Sequence, residues 1–244
     1  MPSNAKIYIS LVSAAGLAAM AYAFLGSPWS HDVARFCTYL LLSLLAATLK
    51  LRLPGITGTM SIGFVLVLLG ISELTLPETM LIACAGVVAQ CLWRATHRPA
   101  LVQLLFNVSA VALSLIVAYE CSQFVRTQFH AESISVVLAV ATCLYFVANS
   151  LLVSGVISLT GREPMRAIWQ QCYLFAFPYY LLGGAVAGLM AASGRELGWK
   201  PPLLMLPLMG LTFLFYRFYL ARLATMPAAA VPAASLHTVK TRSA

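Results

Sequence analysis

Long apolar stretches alternate with short polar or basic connectors along most of the chain. Eight of them are long enough, or nearly so, to be membrane-spanning helices, since about 20 apolar residues cross the roughly 30 Å hydrocarbon layer. The pattern predicts an all-α, polytopic bundle of about eight spans. The stretches run approximately over residues 7–26, 33–50, 59–75, 77–94, 101–125, 133–159, 168–192 and 202–223.

The third and fourth stretches are short, which leaves their topology open. Only the acidic segment 73–78 separates them. Pro77 suits the first turn of a helix, because the backbone N–H that proline lacks would have no partner there. We therefore expect a tight hairpin of two helices, and a re-entrant pair is the alternative.

The first stretch also has features of a secretory signal. Lys6 precedes an apolar run, and residues 21–23 (Ala-Tyr-Ala) have the form of a small-residue cleavage site. The apolar run continues beyond this site through Phe24 and Leu25. We therefore expect an uncleaved membrane anchor, with cleavage as the alternative.

The composition is that of a chain that lies mostly in lipid. Of the 244 residues, 61% are hydrophobic and 9% are charged, whereas a soluble domain has about 45–50% apolar and about 25% charged residues. So few charged side chains could not cover a water-facing surface. We expect residues 1–223 to form an integral membrane domain and the Ala/Pro/Ser-rich residues 224–244 to form a disordered cytoplasmic tail.

The basic residues divide unequally between the two sides of such a bundle. With the N-terminus in the cytoplasm, eleven of the fifteen Lys and Arg residues fall on the cytoplasmic side, and six of the seven carboxylates fall on the other. Because Lys and Arg are retained in cytoplasmic loops, this predicts an N-in, C-in orientation in a bacterial inner (plasma) membrane. The cytoplasmic set is Lys6, Lys50, Arg52, Arg94, Arg98, Arg162, Arg166, Arg217, Arg222, Lys240 and Arg242.

Charge and motifs disfavour several classes of function. The net charge of +8 lies mainly in connectors, which is typical of attraction to anionic lipid headgroups rather than to nucleic acid. The sequence has no HExxH, GxSxG, Walker or dinucleotide-binding motif. The six cysteines form no CxxC pair and are typical of small packing residues. We therefore expect that the protein is not an enzyme and has no cofactor and no metal site. We expect its partners to include membrane lipids.

Polar side chains inside the predicted spans are few and are the candidates for ligand binding. Asn107 and Asn149 lie well inside the fifth and sixth stretches, where an amide needs a partner in place of water. Two roles fit them: hydrogen bonding between helices, which is the simpler interpretation, and lining a cavity for a small ligand. The candidate ligand-binding set is Gln103, Asn107, Tyr145, Asn149 and Tyr179, and the adjacent Tyr180 could line the same cavity.

The connector between the second and third stretches is the most distinctive local feature. Its Pro-Gly pair interrupts a helix, and a later glycine permits positive φ. Its two basic residues flank exposed backbone amides, so a docked anion or lipid phosphate is one interpretation and an ordinary structured loop is the other. Thr59 or Ser61 can cap the following helix. The connector residues of interest are Lys50, Arg52, Pro54, Gly55 and Gly58.

The seventh stretch combines a helix breaker with small residues. Pro178 removes a backbone donor and is expected to kink the helix, which makes it a candidate hinge. Gly184 and Gly188 are four residues apart and would allow another helix to approach closely. That helix could belong to the same bundle or to a second copy in a homodimer.

Five segments together carry a resemblance to a known family: residues 51–64, the acidic segment 73–78, the basic connector 94–99, the Leu-Phe-Asn run 105–107 and residues 149–162. They follow one another in the order found in the multi-span, MASE-like sensor regions that precede bacterial HD-GYP phosphodiesterase and GGDEF cyclase domains. The resemblance covers roughly residues 45–190 and implies a membrane sensor module.

The sequence departs from that family after its last apolar stretch. Only a short tail follows Arg222, so we expect a stand-alone version of the sensor module, read by a separate cytoplasmic signalling protein. The alternative function is a transporter or substrate-binding component for a small neutral solute. Interior amides fit both functions, whereas the lack of ionisable groups near the bilayer midplane disfavours ion-coupled transport.

Overall fold

Seven α-helices and one two-stranded sheet form the part of the chain that the computed structural model describes. This part comprises residues 2–30, 32–52, 59–93, 99–128, 133–161 and 164–197 and six single positions between 207 and 218; over 50–52, 59–60, 171–175 and 193–197 only the backbone is described. The all-α class is confirmed, apart from the short sheet. The elements are α1 (Ser3–Gly26), α2 (Val33–Thr48), β1 (Lys50–Arg52), β2 (Thr59–Ser61), α3 (Phe64–Glu73), α4 (Leu76–Leu92), α5 (Leu101–Gln128), α6 (Ile134–Gly161) and α7 (Met165–Leu197).

Among the described residues, three helices, α1, α5 and α6, are long and apolar enough to cross a membrane. The helices α2, α3 and α4 and the segment Ala176–Ala192 of α7 are shorter apolar helices. Membrane localisation is supported by these helices, while the count of eight spans stays a prediction. Most of the eighth stretch, 202–223, and the whole tail, 224–244, lie outside the described residues.

The third predicted stretch differs most from expectation. Its first residues form β2, which pairs antiparallel with β1 so that Lys50 lies opposite Ser61. The helix that follows, α3, has only ten residues, which rise about 15 Å, half the thickness of the hydrocarbon layer. Neither Thr59 nor Ser61 caps α3, because α3 begins after Gly63 and has no side-chain cap.

Although it is short, α3 lies at the centre of the bundle. It contacts α2, α4, α5, α6 and α7, and every residue from Phe64 to Ile71 is buried. A helix that is apolar on all sides lies either in a protein core or in lipid, and α3 is surrounded by protein. The tight turn into α4 occurs as expected, with Pro77 in the first turn of α4.

The first helix belongs to the same bundle. It packs mainly against α5, and Ile9 and Val12 join Phe106 and Ala110 of α5 in one apolar cluster. The hydroxyl of Tyr8 donates to the backbone carbonyl of α6 at position 152, at 3.1 Å. The role of α1 as an uncleaved anchor stays a prediction.

The small residues of α7 pack inside the bundle. A Cβ on Gly184 would lie 2.7 Å from Oγ1 of Thr142 on α6, and one on Gly188 would lie 3.9 Å from Leu138, also on α6. The described contact of the Gly184–Gly188 face is therefore with α6, and contact with a second copy remains untested. Pro178 lies within α7 and is exposed; its role as a hinge stays a prediction.

Candidate functional site

A cavity of about 1020 Å³ lies between α4, α5, α6 and the base of the β1–β2 hairpin. We call this end of the bundle, where α4 and α6 finish and α5 begins, the hairpin end. Residues 76–83 of α4 are buried with one exception, whereas all residues from 84 to 91 are only partly buried. The first half of α4 thus packs tightly, and its second half borders the cavity.

Neutral polar side chains line the cavity near the hairpin end. Ser61 Oγ donates a hydrogen bond of 2.8 Å to Oε1 of Gln90, which joins the end of β2 to α4. The side-chain amide of Asn107 on α5 donates to Sγ of Cys91 on α4 at 3.4 Å. Gln103, one turn before Asn107, is exposed and also lines the cavity. Three elements therefore present hydrogen-bonding groups to the same space.

An aromatic group forms the inner end of the cavity. The ring of Tyr180 on α7 lies 4.5 Å from that of Phe64 at the start of α3 and 6.3 Å from that of Tyr145 on α6, measured between centroids. Nδ2 of Asn149 donates to the hydroxyl of Tyr180 at 3.4 Å. This is longer than the usual distance of about 2.9–3.0 Å for an N–H···O bond, so the contact is weak.

Four of the five candidate ligand-binding residues from the sequence meet at this cavity, and one does not. The exception is Tyr179, which is buried against Phe64 with a centroid distance of 5.1 Å and is not among the cavity-lining residues. Its neighbour Tyr180 lines the cavity instead, because consecutive helical residues point about 100° apart. The four that meet there are Gln103, Asn107, Tyr145 and Asn149.

Both roles considered for the two asparagines have structural support. Asn107 bonds α5 to α4, and Asn149 bonds α6 to α7, as a packing role requires. Both also line the cavity, as a binding role requires. A side-chain amide can donate two hydrogen bonds and accept two more, so one long contact leaves capacity for a ligand. Their role in binding stays a prediction.

The predicted connector is only partly described. Lys50 and Arg52 lie on β1, with Arg52 opposite Thr59 in the antiparallel pair. Pro54, Gly55 and Gly58 lie outside the described residues. The end of the connector reaches the cavity, because Ser61 at the end of β2 is one of the cavity-lining residues.

At the opposite end of the bundle, a polar cluster that the sequence analysis missed joins α2, α3 and α4. We call this the acidic end. The hydroxyl of Tyr39 donates to Oε2 of Glu73 at 2.6 Å. Arg35 lies 3.2 Å from a carboxylate oxygen of Asp32 and 3.8 Å from one of Glu73. These contacts tie the start of α2 to the end of α3.

Glu78 is the most buried acid of this cluster, with 2% of its surface exposed. Its Oε1 accepts from the hydroxyl and the backbone N–H of Ser30, at 2.6 and 3.2 Å. Its Oε2 accepts from the hydroxyl and the backbone N–H of Thr75, at 2.8 and 3.0 Å, which completes a capping box. A Thr-x-x-Glu spacing was visible in the sequence, whereas the contact with Ser30 was not. In the described part of the chain, no group of three or more His, Cys, Asp or Glu residues is arranged to hold a metal ion.

A comparison with protein families identifies the chain. The model of MASE9, a family of membrane-associated sensor domains, matches residues 30–183, which is 154 of 244 residues. The chain belongs to the MASE9 family. The resemblance to a MASE-like sensor region is thereby confirmed. No curated protein and no solved structure matches the chain.

The MASE9 match includes both ends of the bundle. Every described residue that lines the cavity lies within it except Ile9 of α1. The acidic end, from Ser30 to Glu78, lies within it as well. The cavity is therefore almost entirely a feature of the matched segment.

Proposed function

We propose that this MASE9 domain is a membrane sensor that responds to a molecule in the cavity, and that the β1–β2 hairpin transmits the response. The family supports the sensor role. One observation carries the rest: the hydrogen bond from Ser61 to Gln90 joins the base of the hairpin to the cavity wall. A molecule that competes for Gln90 would change how the hairpin is held.

The hairpin suits an output element because it precedes the central helix directly. Only Ile62 and Gly63 separate β2 from α3, and Phe64 at the start of α3 lines the cavity. A ligand can shift a two-state equilibrium only through different affinities for the two states. Contact with both Gln90 and Phe64 would supply that difference. A separate cytoplasmic signalling protein, or a second copy of the chain, would read the position of the hairpin.

This mechanism requires the hairpin end to face the cytoplasm of a bacterial inner membrane, with N-in, C-in topology and eight spans. We expect green fluorescent protein fused within residues 94–98 to be fluorescent, and alkaline phosphatase fused within residues 129–132 to be active, because those loops would lie on opposite sides. Reporter activity of fusions in whole cells measures this. The reverse pattern would place the hairpin outside and exclude a cytoplasmic partner.

The coupling itself predicts an effect of Ser61→Ala. Loss of one hydrogen bond of about 0.5–1.5 kcal/mol is expected to speed hydrogen exchange of the hairpin amides roughly 2- to 10-fold, with α5 and α6 unchanged. Hydrogen–deuterium exchange with mass spectrometry, on the full chain in lipid nanodiscs, measures this. Ser72→Ala is the matched control, because Ser72 bonds only within α3, to the carbonyl of Leu69. Equal hydrogen exchange of the hairpin amides in Ser61→Ala and Ser72→Ala would contradict the proposed coupling between the hairpin and the cavity.

A transporter for a small neutral solute is the second candidate. The observation that favours it is the short central helix α3 preceded by non-helical backbone, since discontinuous helices commonly form transport sites. Saturable solute uptake by proteoliposomes containing the full chain would favour this function. Crosslinking to a recurrent cytoplasmic protein that Ser61→Ala weakens, without uptake, would favour the sensor.

A further inference from the structure

The chemistry of the cavity lining narrows the kind of molecule that it can hold. None of the described residues that line it is Asp, Glu, Lys, Arg or His. Moving an ion from water into such surroundings costs several kcal/mol when no opposite charge compensates it. The described lining therefore offers no opposite charge to an ion and suits an uncharged molecule.

The polar groups of the lining suit a ligand that carries oxygen atoms. Amide N–H groups of Asn107 and Asn149 make single contacts of 3.4 Å, to Cys91 and Tyr180. Each amide nitrogen has a second N–H, which can donate to a molecule in the cavity. Carbonyl or hydroxyl oxygens on a ligand would accept from them.

The aromatic groups of the lining suit a flat ring. Phe64 and Tyr180 pack at 4.5 Å with an interplanar angle of 37°, and both line the cavity together with Tyr145 and Phe106. Aromatic side chains favour offset or tilted packing against another ring, with centroids about 4.5–7 Å apart. A volume near 1020 Å³ is at the upper end of the range of about 300–1,000 Å³ for sites that hold drug-sized molecules.

We propose that the cavity binds an uncharged, amphipathic molecule with a planar ring that carries carbonyl or hydroxyl oxygens and an apolar chain. The ring packs against Phe64 and Tyr180. Its oxygens accept hydrogen bonds from Asn149 and Asn107, and its chain follows the Val and Ile side chains of α6. The proposal deepens the proposed function, since it names the class of molecule at the same site.

Direct binding to the full chain in lipid nanodiscs tests this, with empty nanodiscs correcting for partition into lipid. The probe is a para-benzoquinone with a decyl chain. Three further probes share the decyl chain: decyl sulfate is an anion, decyltrimethylammonium is a cation, and decanol is neutral without a ring. We expect saturable binding of the quinone and much weaker binding of the other three. Stronger binding of either ion would overturn the uncharged class, and equal binding of decanol would overturn the ring.

Variants test the assigned contacts. Asn149→Leu and Asn107→Leu keep the branched shape and the number of heavy atoms of the side chain, and each is expected to weaken quinone binding roughly 3- to 10-fold, as loss of one hydrogen bond implies. Gln170→Leu is the matched control, because Gln170 is an exposed amide of α7 that does not line the cavity. If one asparagine variant no longer elutes as a single species from a sizing column in detergent, the other asparagine variant is used for the test.

Failure here and failure of the proposed function are distinguishable. No saturable binding of any probe, or unchanged binding in both asparagine variants, would overturn this inference. The hydrogen-exchange experiment on Ser61→Ala uses no ligand, so its result does not depend on which molecule the cavity binds.

Discussion

Replacing Gly16 by alanine is expected to destabilise the bundle by about 2 kcal/mol after the gain in helix propensity is subtracted, because the new methyl group has no room. A Cβ at this position would lie 2.5 Å from the backbone Cα of Ser109 on α5. Backbone cannot move aside as a flexible side chain can, so α1 and α5 would have to separate. Overpacking in a close-packed interior typically costs about 1–3 kcal/mol, and the upper end applies where backbone is displaced.

Thermal unfolding of the full chain in mild detergent measures this effect, with Gly188→Ala as the control. Both changes replace a helical glycine, so both gain about 1 kcal/mol of helix propensity. A Cβ at Gly188 would meet only Leu138, at an ordinary 3.9 Å. Gly188→Ala is therefore expected to be neutral or stabilising. Equal midpoints for the two variants would show that α1 does not pack against α5 as described.

The long helices could be predicted from sequence because hydropathy alone determines them. The stretches 101–125 and 133–159 correspond to α5 (Leu101–Gln128) and α6 (Ile134–Gly161), within three residues at each end. A lipid-facing helix must form all its backbone hydrogen bonds within itself and must be apolar over its whole length. Its length and its apolar character can therefore both be read from the sequence.

The third stretch could not be predicted in the same way. Residues 59–75 are nearly as apolar as a span, yet the first three pair with β1 and the helix starts only at Phe64. Hydropathy measures burial and does not distinguish a lipid-facing helix from one surrounded by protein. The central position of α3 depends on five neighbouring helices, and no single segment encodes it.

The cavity was partly predictable for the same physical reason. Amides such as Asn107 and Asn149 must face the interior, because lipid offers them no partner. Which of Tyr179 and Tyr180 lines the cavity depends on the rotation of α7 about its own axis. The apolar residues on either side of the pair do not reveal that rotation. The bond between Ser61 and Gln90 joins residues 29 positions apart, and this pairing exists only in the folded bundle.

The acidic end lets us predict a second large effect, for Glu78→Gln. The carboxylate accepts four hydrogen bonds, two from Ser30 and two from Thr75. A glutamine at this position has one acceptor oxygen, and its NH₂ group would face two donors. Hydrogen bonds to charged groups contribute about 1.5–3 kcal/mol each, and buried donors left unpaired add further cost. We expect a loss of about 3 kcal/mol in stability.

The unfolding midpoint in SDS titrations measures this loss, and Glu120→Gln is the matched control. Glu120 is exposed on α5, so the control removes the same charge without removing buried bonds. It is expected to change stability by less than about 0.5 kcal/mol. A similar loss in both variants would mean that net charge, rather than the bonds of Glu78, stabilises this end. Ser30 lies in the α1–α2 connection, and Thr75 caps α4. A loss confined to Glu78→Gln would therefore show that this one carboxylate joins the α1–α2 connection to the start of α4.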